Sequence, residues 1–447
     1  MKVALLNPPS FDKGRLSRGL MGGYGMRVGA DLVYPPMQLA YVAAVLEQRG
    51  HAVEIVDAEA RGLDAATTLS TLERSAPEIV GVPLSKDGYE DELGLSREIR
   101  RRLGRRVCSF GPMAATHGRE LVTREAADFV LIGEADVAFA DLVDALAARR
   151  ELPTTGLVHR RNGEIVAGEG RHAVGDLDTL PFPARHLLDN ALYRFPGVSG
   201  RVTAIHSSRG CPIECPFCPY VFAEGSALRQ RSPEKVVDEM WQAHRDLGIE
   251  TFVFRDPVFT LKTARAREIC RLLTERPAPF KWMCETTLGS LSEELLGQMA
   301  QAGCIAVSFG VESANEALQR KYGRNKIGSL DHAVRMVGAC RRLGLRTRAF
   351  FMIGFPEETP AMVDETVAFA LRLDPDTIQF VPVTAYRGTP LDEEHGEALE
   401  GDETRARRVR ADIRAAYRRF YARPSRVLTE LTQPRRLLGK LARYRGL

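Results

Sequence analysis

Along the first 148 residues, short apolar runs alternate with stretches whose apolar positions recur at helical spacing. Lys2–Asn7 (KVALLN), Ala52–Asp57 (AVEIVD), Ile79–Val82, Val107–Phe110 and Phe129–Ile132 read as buried strands. Met37–Arg49 and Ala135–Arg149 carry the apolar stripe of packed helices. Apolar runs without strict alternation belong to strands covered on both faces. Five strand–helix units therefore predict a doubly wound parallel sheet. Ligands of such sheets sit beyond the carboxyl ends of the strands. The residues there are Asn7-Pro8-Pro9, Pro83-Leu84-Ser85-Lys86, Gly111-Pro112-Met113 and Gly133-Glu134.

Residues 149–200 break the alternation. Leu157–Ala167 reads as a hairpin turning at Asn162-Gly163, and Pro181, Pro183 and Pro196 mark an extended connection, so this segment is expected to be an interdomain linker. A second series follows over 201–395. Strands are predicted at Thr203–Ser208, Thr251–Arg255, Trp282–Thr286, Ile305–Phe309, Arg348–Ile353 and Thr377–Val381. Helices lie between them, including Pro233–Leu247 with Ser232 as its cap. Six such units fit a partial β/α barrel, whose site lies at the carboxyl ends of its strands. Residues 396–447 form a basic region of helical pattern interrupted by Pro424 and Pro434.

The composition fits a soluble globular protein: 447 residues, 44% hydrophobic and 27% charged, with no apolar run long enough to span a bilayer. The N-terminal MKVALLNPPS reads as a first strand, not a signal peptide, and the expected compartment is the cytoplasm. Of the eight cysteines, Cys108, Cys270, Cys284, Cys304 and Cys340 are scattered through apparent strands and helices, unlike a secreted disulfide framework. They read as small buried hydrophobes. Net charge is +4, yet from Thr404 onward 14 Lys and Arg face only Asp412 and Glu430, a net of +12, leaving −8 for the rest.

The other cysteines are bunched in Ser207-Ser208-Arg209-Gly210-Cys211-Pro212-Ile213-Glu214-Cys215-Pro216-Phe217-Cys218-Pro219. Three thiolates on one loop after a strand make a soft-ligand site. Iron–sulfur clusters usually take four cysteines; with no fourth nearby, one metal position stays open for a ligand. A zinc knuckle is the competing reading. It takes four protein ligands in a closed site, and the only close histidine, His206, lies in the preceding strand.

The CxxxCxxC loop after the first barrel strand resembles the radical S-adenosylmethionine (SAM) superfamily, and Phe217 matches the aromatic found before the last cysteine. The likeness continues through Arg255-Asp256-Pro257-Val258-Phe259, Glu285, Ser308 to Ser313 (SFGVES), Phe351 to Pro356 (FMIGFP) and Arg387-Gly388-Thr389-Pro390. The resemblance implies a 4Fe-4S cluster on Cys211, Cys215 and Cys218, with the fourth iron chelating SAM. It implies SAM cleavage to a 5′-deoxyadenosyl radical. It also implies SAM contacts from Phe217, Asp256, Glu285, Glu312, Ser313 and Gly354, Glu312 first among them. At Asp256 the chain has Arg-Asp where the family often shows two acids.

Upstream, Asn7-Pro8-Pro9, Tyr34 to Tyr41 (YPPMQLAY), Gly50-His51, Gly111-Pro112-Met113 and Asp128 to Asp136 (DFVLIGEAD) resemble the cobalamin-binding domain that precedes many radical SAM barrels. The implied cobalamin contacts are Asn7, Pro8, Tyr34, Met37, Leu84, Ser85, Gly111, Pro112, Met113, Gly133 and Glu134. The DxHxxG motif is absent: Ala115 stands where the aspartate of a His117 motif would be, and His51 reads as a surface turn residue. No histidine ligand to cobalt is expected. No GxGxxG or GxxxxGK[ST] loop is present, which argues against dinucleotides and nucleoside triphosphates.

The expected activity is a cobalamin-dependent radical SAM methyltransferase, moving a methyl group from methylcobalamin to an unactivated carbon or phosphorus of a small-molecule, natural-product or lipid substrate. A non-methylating cyclisation, rearrangement or oxidation on the same cofactors stays open, as does a non-catalytic cobalamin-sensing module. The basic tail is expected to pack an apolar face on the barrel with its arginine stems snorkelling. The alternative is a docking surface for a reductant protein (flavodoxin or ferredoxin), a membrane surface or another anionic partner. Nucleic acid is disfavoured, because no recognised binding module accompanies the charge.

Overall fold

The computed structural model describes residues 1–11, 14–324 and 326–424. They divide into two compact units. The first comprises Met1–Ala204 with Pro219–Arg231 and Arg245–Ile249, and the second holds Ile205–Cys218, Ser232–His244 and the chain from Glu250 onward.

The first unit is built on a seven-stranded sheet. Its strands are β1 (Lys2–Asn7), β2 (Ala52–Asp57), β3 (Ile79–Pro83), β4 (Arg106–Phe110), β5 (Phe129–Leu131), β6 (Leu157–Arg161) and β7 (Glu164–Ala167). The spatial order is β2-β1-β3-β4-β5-β6-β7. The first five strands pair in parallel. The reversal between β1 and β3 is the switch point where doubly wound sheets of this order bind ligands. Val3, Ala4, Leu5 and Leu6 are wholly buried, as the unbroken apolar run requires.

Two expectations are corrected here. The hairpin in 149–200 is not part of a linker. β6 pairs antiparallel with β5, placing Val158 against Val130, and β7 completes the edge. The rest of that segment is tied to the same unit: Tyr193 donates its hydroxyl to Asp57 at 2.8 Å, and the Ala184 N–H reaches the Ala40 carbonyl. A buried carboxylate needs donors, and this segment supplies one. His51 is also not a surface turn residue. Its side chain is 7% exposed and bonds Asp144, on the helix Ala135–Ala147, at 2.8 Å.

The second sheet has β8 (Val202–Ile205), β9 (Thr251–Phe254), β10 (Lys281–Thr286), β11 (Cys304–Glu312), β12 (Arg346–Ile353) and β13 (Thr377–Pro382), ordered as in the sequence. β9 to β13 pair in parallel. Helices Thr263–Glu275, Glu293–Gln301, Leu330–Arg342 and Pro360–Leu373 connect them, giving the expected partial barrel. Its core is aromatic: Trp282 packs on Phe254 and Phe259, and its indole N–H is satisfied by the Ala302 carbonyl at 2.8 Å. The predicted strand Thr203–Ser208 stops at Ile205, because Ser207 and Ser208 turn their N–H groups to a side chain. The five scattered cysteines are all buried.

The basic region folds as a helix over Glu403–Tyr421, burying Val409, Ile413, Ala416 and Phe420. This is the packed arrangement expected of it; the tail over 425–447 lies outside the described residues. Among the described residues no helix is long and apolar enough to cross a membrane.

Candidate functional site

The cysteine loop leaves β8 and is braced at its root by Asp256, just past β9. The Asp256 carboxylate accepts the N–H groups of Ser207 (2.7 Å) and Ser208 (3.1 Å) and the Ser207 hydroxyl. It is 1% exposed. Burial pushes its carboxyl up, against the pull of nearby Arg265 and the serine donors. Both oxygens are thus engaged within the protein. Asp256→Asn, which weakens charge-assisted bonds without removing their geometry, is expected to cost about 1–3 kcal/mol in chemical denaturation.

Further along the loop, the Cys218 N–H closes a turn on the Cys215 carbonyl at 2.9 Å, and the Leu391 N–H holds the Pro216 carbonyl at 3.1 Å. Phe217 meets Phe355 edge-on, centroids 6.4 Å apart. It packs on an apolar cluster that includes Leu318, Tyr322, Met352 and Leu391. Cys211 is buried, and Cys215 and Cys218 are half-buried. Burial pushes the Cys215 thiol up while Lys326 opposes that shift; a coordinating thiol is deprotonated by its metal. Among the described residues no three His, Cys, Asp or Glu side chains converge closely enough to hold a single ion. Cysteines of a cubane cluster each bind a different iron, so their spacing is wider than that of one ion's ligands.

Glu312 ends β11 with φ +66°, at a register shift between Gly310 and Glu312. Its carboxylate pairs with Lys326, whose side chain is 13% exposed. The ammonium also stands 5.5 Å from the Phe217 ring centroid. Burial alone would lower Lys326, but Glu312 and the sulfurs of Cys215 and Cys218 outweigh it and raise it. The sequence pattern gives no sign of Lys326, which lies in a loop without periodicity.

The other residues expected to meet SAM are distributed differently. Glu285, at the end of β10, is 32% exposed in its side chain and pairs with Arg255. Ser313 is buried, bonding Thr366 at 3.1 Å. Gly354 has φ +101°, and an added Cβ would stand 2.8 Å from Val409 on the C-terminal helix; its carbonyl accepts from Arg405. The structure brings Cys215, Cys218, Phe217 and Glu312 together around Lys326, while Ser313, Asp256 and Gly354 serve packing contacts.

In the first unit, the ends of β1, β2 and β3 are joined by a buried polar network that adds Asp57, Arg18 and Glu92 to the expected Asn7 and Ser85. Asn7 donates to Asp57 at 2.7 Å. Burial pushes the Asp57 carboxyl up, opposed by the Ala60 N–H, Asn7 and Tyr193. Arg18 bonds Glu92 (2.7 Å), the Pro8 carbonyl (2.7 Å), the Pro9 carbonyl (3.2 Å) and Asn7 Oδ1 (3.3 Å). Glu92 in turn accepts the N–H and hydroxyl of Ser85, each at 2.6 Å. A small open cleft adjoins them, lined by Asn7, Arg15, Arg18, Tyr34 and Glu59 among others.

Of the expected cobalamin contacts, Asn7, Tyr34 and the chain at Pro8 therefore border or brace this cleft. Leu84, Met37 and Met113 are buried, and Gly111 and Pro112 open the helix Pro112–Thr123. Gly133 and Glu134 are used otherwise. Gly133 bridges to His172, whose carbonyl would lie 2.2 Å from an added Cβ, and Glu134 makes a bidentate pair with Arg229. His117 bonds the Met113 carbonyl at 3.0 Å through Nδ1.

A family profile for the radical SAM superfamily matches residues 205–370, and one for the B12 binding domain matches residues 26–143. An uncharacterized methyltransferase of Pyrococcus horikoshii, PH0819, is 30% identical over 395 residues, covering 88% of this chain and 82% of the relative. The anaerobic magnesium-protoporphyrin IX monomethyl ester cyclase of Rubrivivax gelatinosus is 26% identical over 387 residues, covering 83% and 68%. The structure of the radical S-adenosylmethionine methyltransferase TsrM from Kitasatospora setae, with cobalamin and a 4Fe-4S cluster bound, superposes with a TM-score of 0.68 at 22% identity, over 89% of this chain and 75% of that one.

Proposed function

Because the chain belongs to the cobalamin-dependent radical SAM methyltransferase family, we propose that it transfers a methyl group to an unactivated carbon or phosphorus of a small-molecule substrate. The family membership makes it an enzyme that uses a 4Fe-4S cluster, SAM and cobalamin. When bound, the cluster and SAM supply a carbon-centred radical and cobalamin supplies the methyl carrier.

The protein's part is to bind, orient and exclude water. The Cys211, Cys215 and Cys218 thiolates would hold the cluster from a single loop. Glu312 and Glu285, at adjacent strand ends, offer carboxylates to the SAM ammonium and ribose. Phe217 and its apolar cluster keep water from the loop tip. Asp256, Ser313 and Gly354 support these groups from behind. In the first unit, Asn7 and Tyr34 would border the cobalamin site at the switch point, with the chain at Pro8 and Ser85 braced behind them through Arg18 and Glu92.

The observation that carries methyl transfer is the methyltransferase relative matched over 88% of the chain. The cyclase relative favours a second reading, ring closure on the same cofactors. Anaerobic incubation with SAM, cobalamin, a low-potential reductant and a panel of small-molecule substrates separates them. 5′-Deoxyadenosine with a product one CH2 unit heavier supports methyl transfer. A product without that gain supports cyclisation, and no 5′-deoxyadenosine under any condition refutes both.

A further inference from the structure

Lys326 is a buried cation whose position several features conspire to fix. Glu312 meets it from a left-handed backbone, a conformation that costs about 1–3 kcal/mol in a non-glycine residue. That conformation sits at the register shift following Gly310. A side chain at Gly310 would displace the pair from this position: an added Cβ would lie 2.2 Å from Glu312 Oε1 and 3.0 Å from Lys326 Nζ. The face of Phe217, the residue before Cys218, covers the ammonium from another side. A strained backbone, a glycine that leaves room for the pair and an aromatic face thus all converge on one ammonium group.

We infer that Lys326 is a positioning residue that raises the reduction potential of the cluster, with Glu312 as its counterweight; this rests on the cysteine assignment proposed above. One-electron reduction by an external low-potential donor adds one negative charge to the cluster. A fixed cation against the ring of Phe217, which lies on the loop between Cys215 and Cys218, stabilises the reduced state more than the oxidised one. The Lys326 and Glu312 side chains are only 13% and 8% exposed, so their charges are screened less than surface charges. A guanidinium at this position would keep the charge, and a thioether would keep the bulk alone.

The test is a redox titration, followed by electron paramagnetic resonance, on full-length protein reconstituted anaerobically without SAM, alongside iron and sulfide content. Lys326→Met is expected to carry the cluster at a more negative midpoint, Lys326→Arg to stay near the wild type, and Glu312→Gln to move less negative. Opposite shifts from the two members of one ion pair are not produced by loosened packing. An unchanged midpoint in Lys326→Met at full iron content overturns the inference and leaves the cysteine assignment standing. If Lys326→Met does not assemble a cluster, Glu312→Gln decides: a shift in the negative direction, or none, overturns it. A wild type that binds no iron removes the cysteine assignment and this inference together.

Discussion

Cys211→Ala, Cys215→Ala and Cys218→Ala are each expected to abolish 5′-deoxyadenosine formation and to lose most of the iron bound by the reconstituted wild type. The loop provides three thiolates and no fourth, so no spare ligand is at hand when one is removed. The remaining cysteines cannot substitute: Cys270, Cys284, Cys304 and Cys340 are buried in strands and helices of the barrel. Burial pushes the Cys270 and Cys340 thiols up to about 12, which keeps them protonated near neutrality. Iron and acid-labile sulfide assays, with the visible charge-transfer absorbance, give the reading. Each variant should keep its fold, because Asp256 and the contacts of Phe217 and Pro216 hold the loop independently of the thiols. Undiminished iron in any of the three would remove that cysteine from the ligand set.

Arg18→Met should weaken the first unit by about 3–5 kcal/mol, the usual cost of stripping one partner from a buried ion pair. Arg18 and Glu92 have side chains 5% and 0% exposed. Without the guanidinium, Glu92 keeps only Ser85 as donor, and the Pro8 and Pro9 carbonyls and Asn7 lose theirs. Two units need not unfold together, so the effect should appear as a lowered first transition in a thermal scan. Cobalamin retained after gel filtration should fall with it, while iron on the cysteine loop stays at the wild-type level. Equal losses of both cofactors would mean that Arg18 supports the whole chain and has no particular bearing on the switch point. Arg18→Lys, which restores charge but not the spread of bonds, should fall between.

Much of this arrangement was legible in the sequence because it depends on local periodicity. β1 and β2 fall on their predicted residues, and the helix Pro233–Leu247 on its own, since capping residues and apolar runs are local signals. The cysteine spacing was equally plain. What escaped depends on contacts between distant residues. The hairpin was visible, but its pairing with Phe129–Leu131 is a matter of which edge stands open, and no local pattern encodes that. Asp57 could be seen to end a strand, but its partner Tyr193 lies 136 residues away. Lys326 sits in a loop without pattern, and Glu312 reaches it through a shift in strand register. Asp256 and Gly354 stood at the right strand ends for a ligand, and the structure turns both toward neighbouring backbone and side chains.

One consequence follows from the helix Glu403–Tyr421. Among the described residues, the incomplete barrel leaves its last strand, β13, with a row of main-chain donors and acceptors lacking a neighbouring strand. Tyr417 and Tyr421 answer them: their hydroxyls accept the N–H groups of Phe380 at 3.0 Å and Ile378 at 3.2 Å. Two phenols on a helix thus stand in for a seventh strand. They blunt an exposed margin that could otherwise recruit another chain into cross-molecule pairing and aggregation.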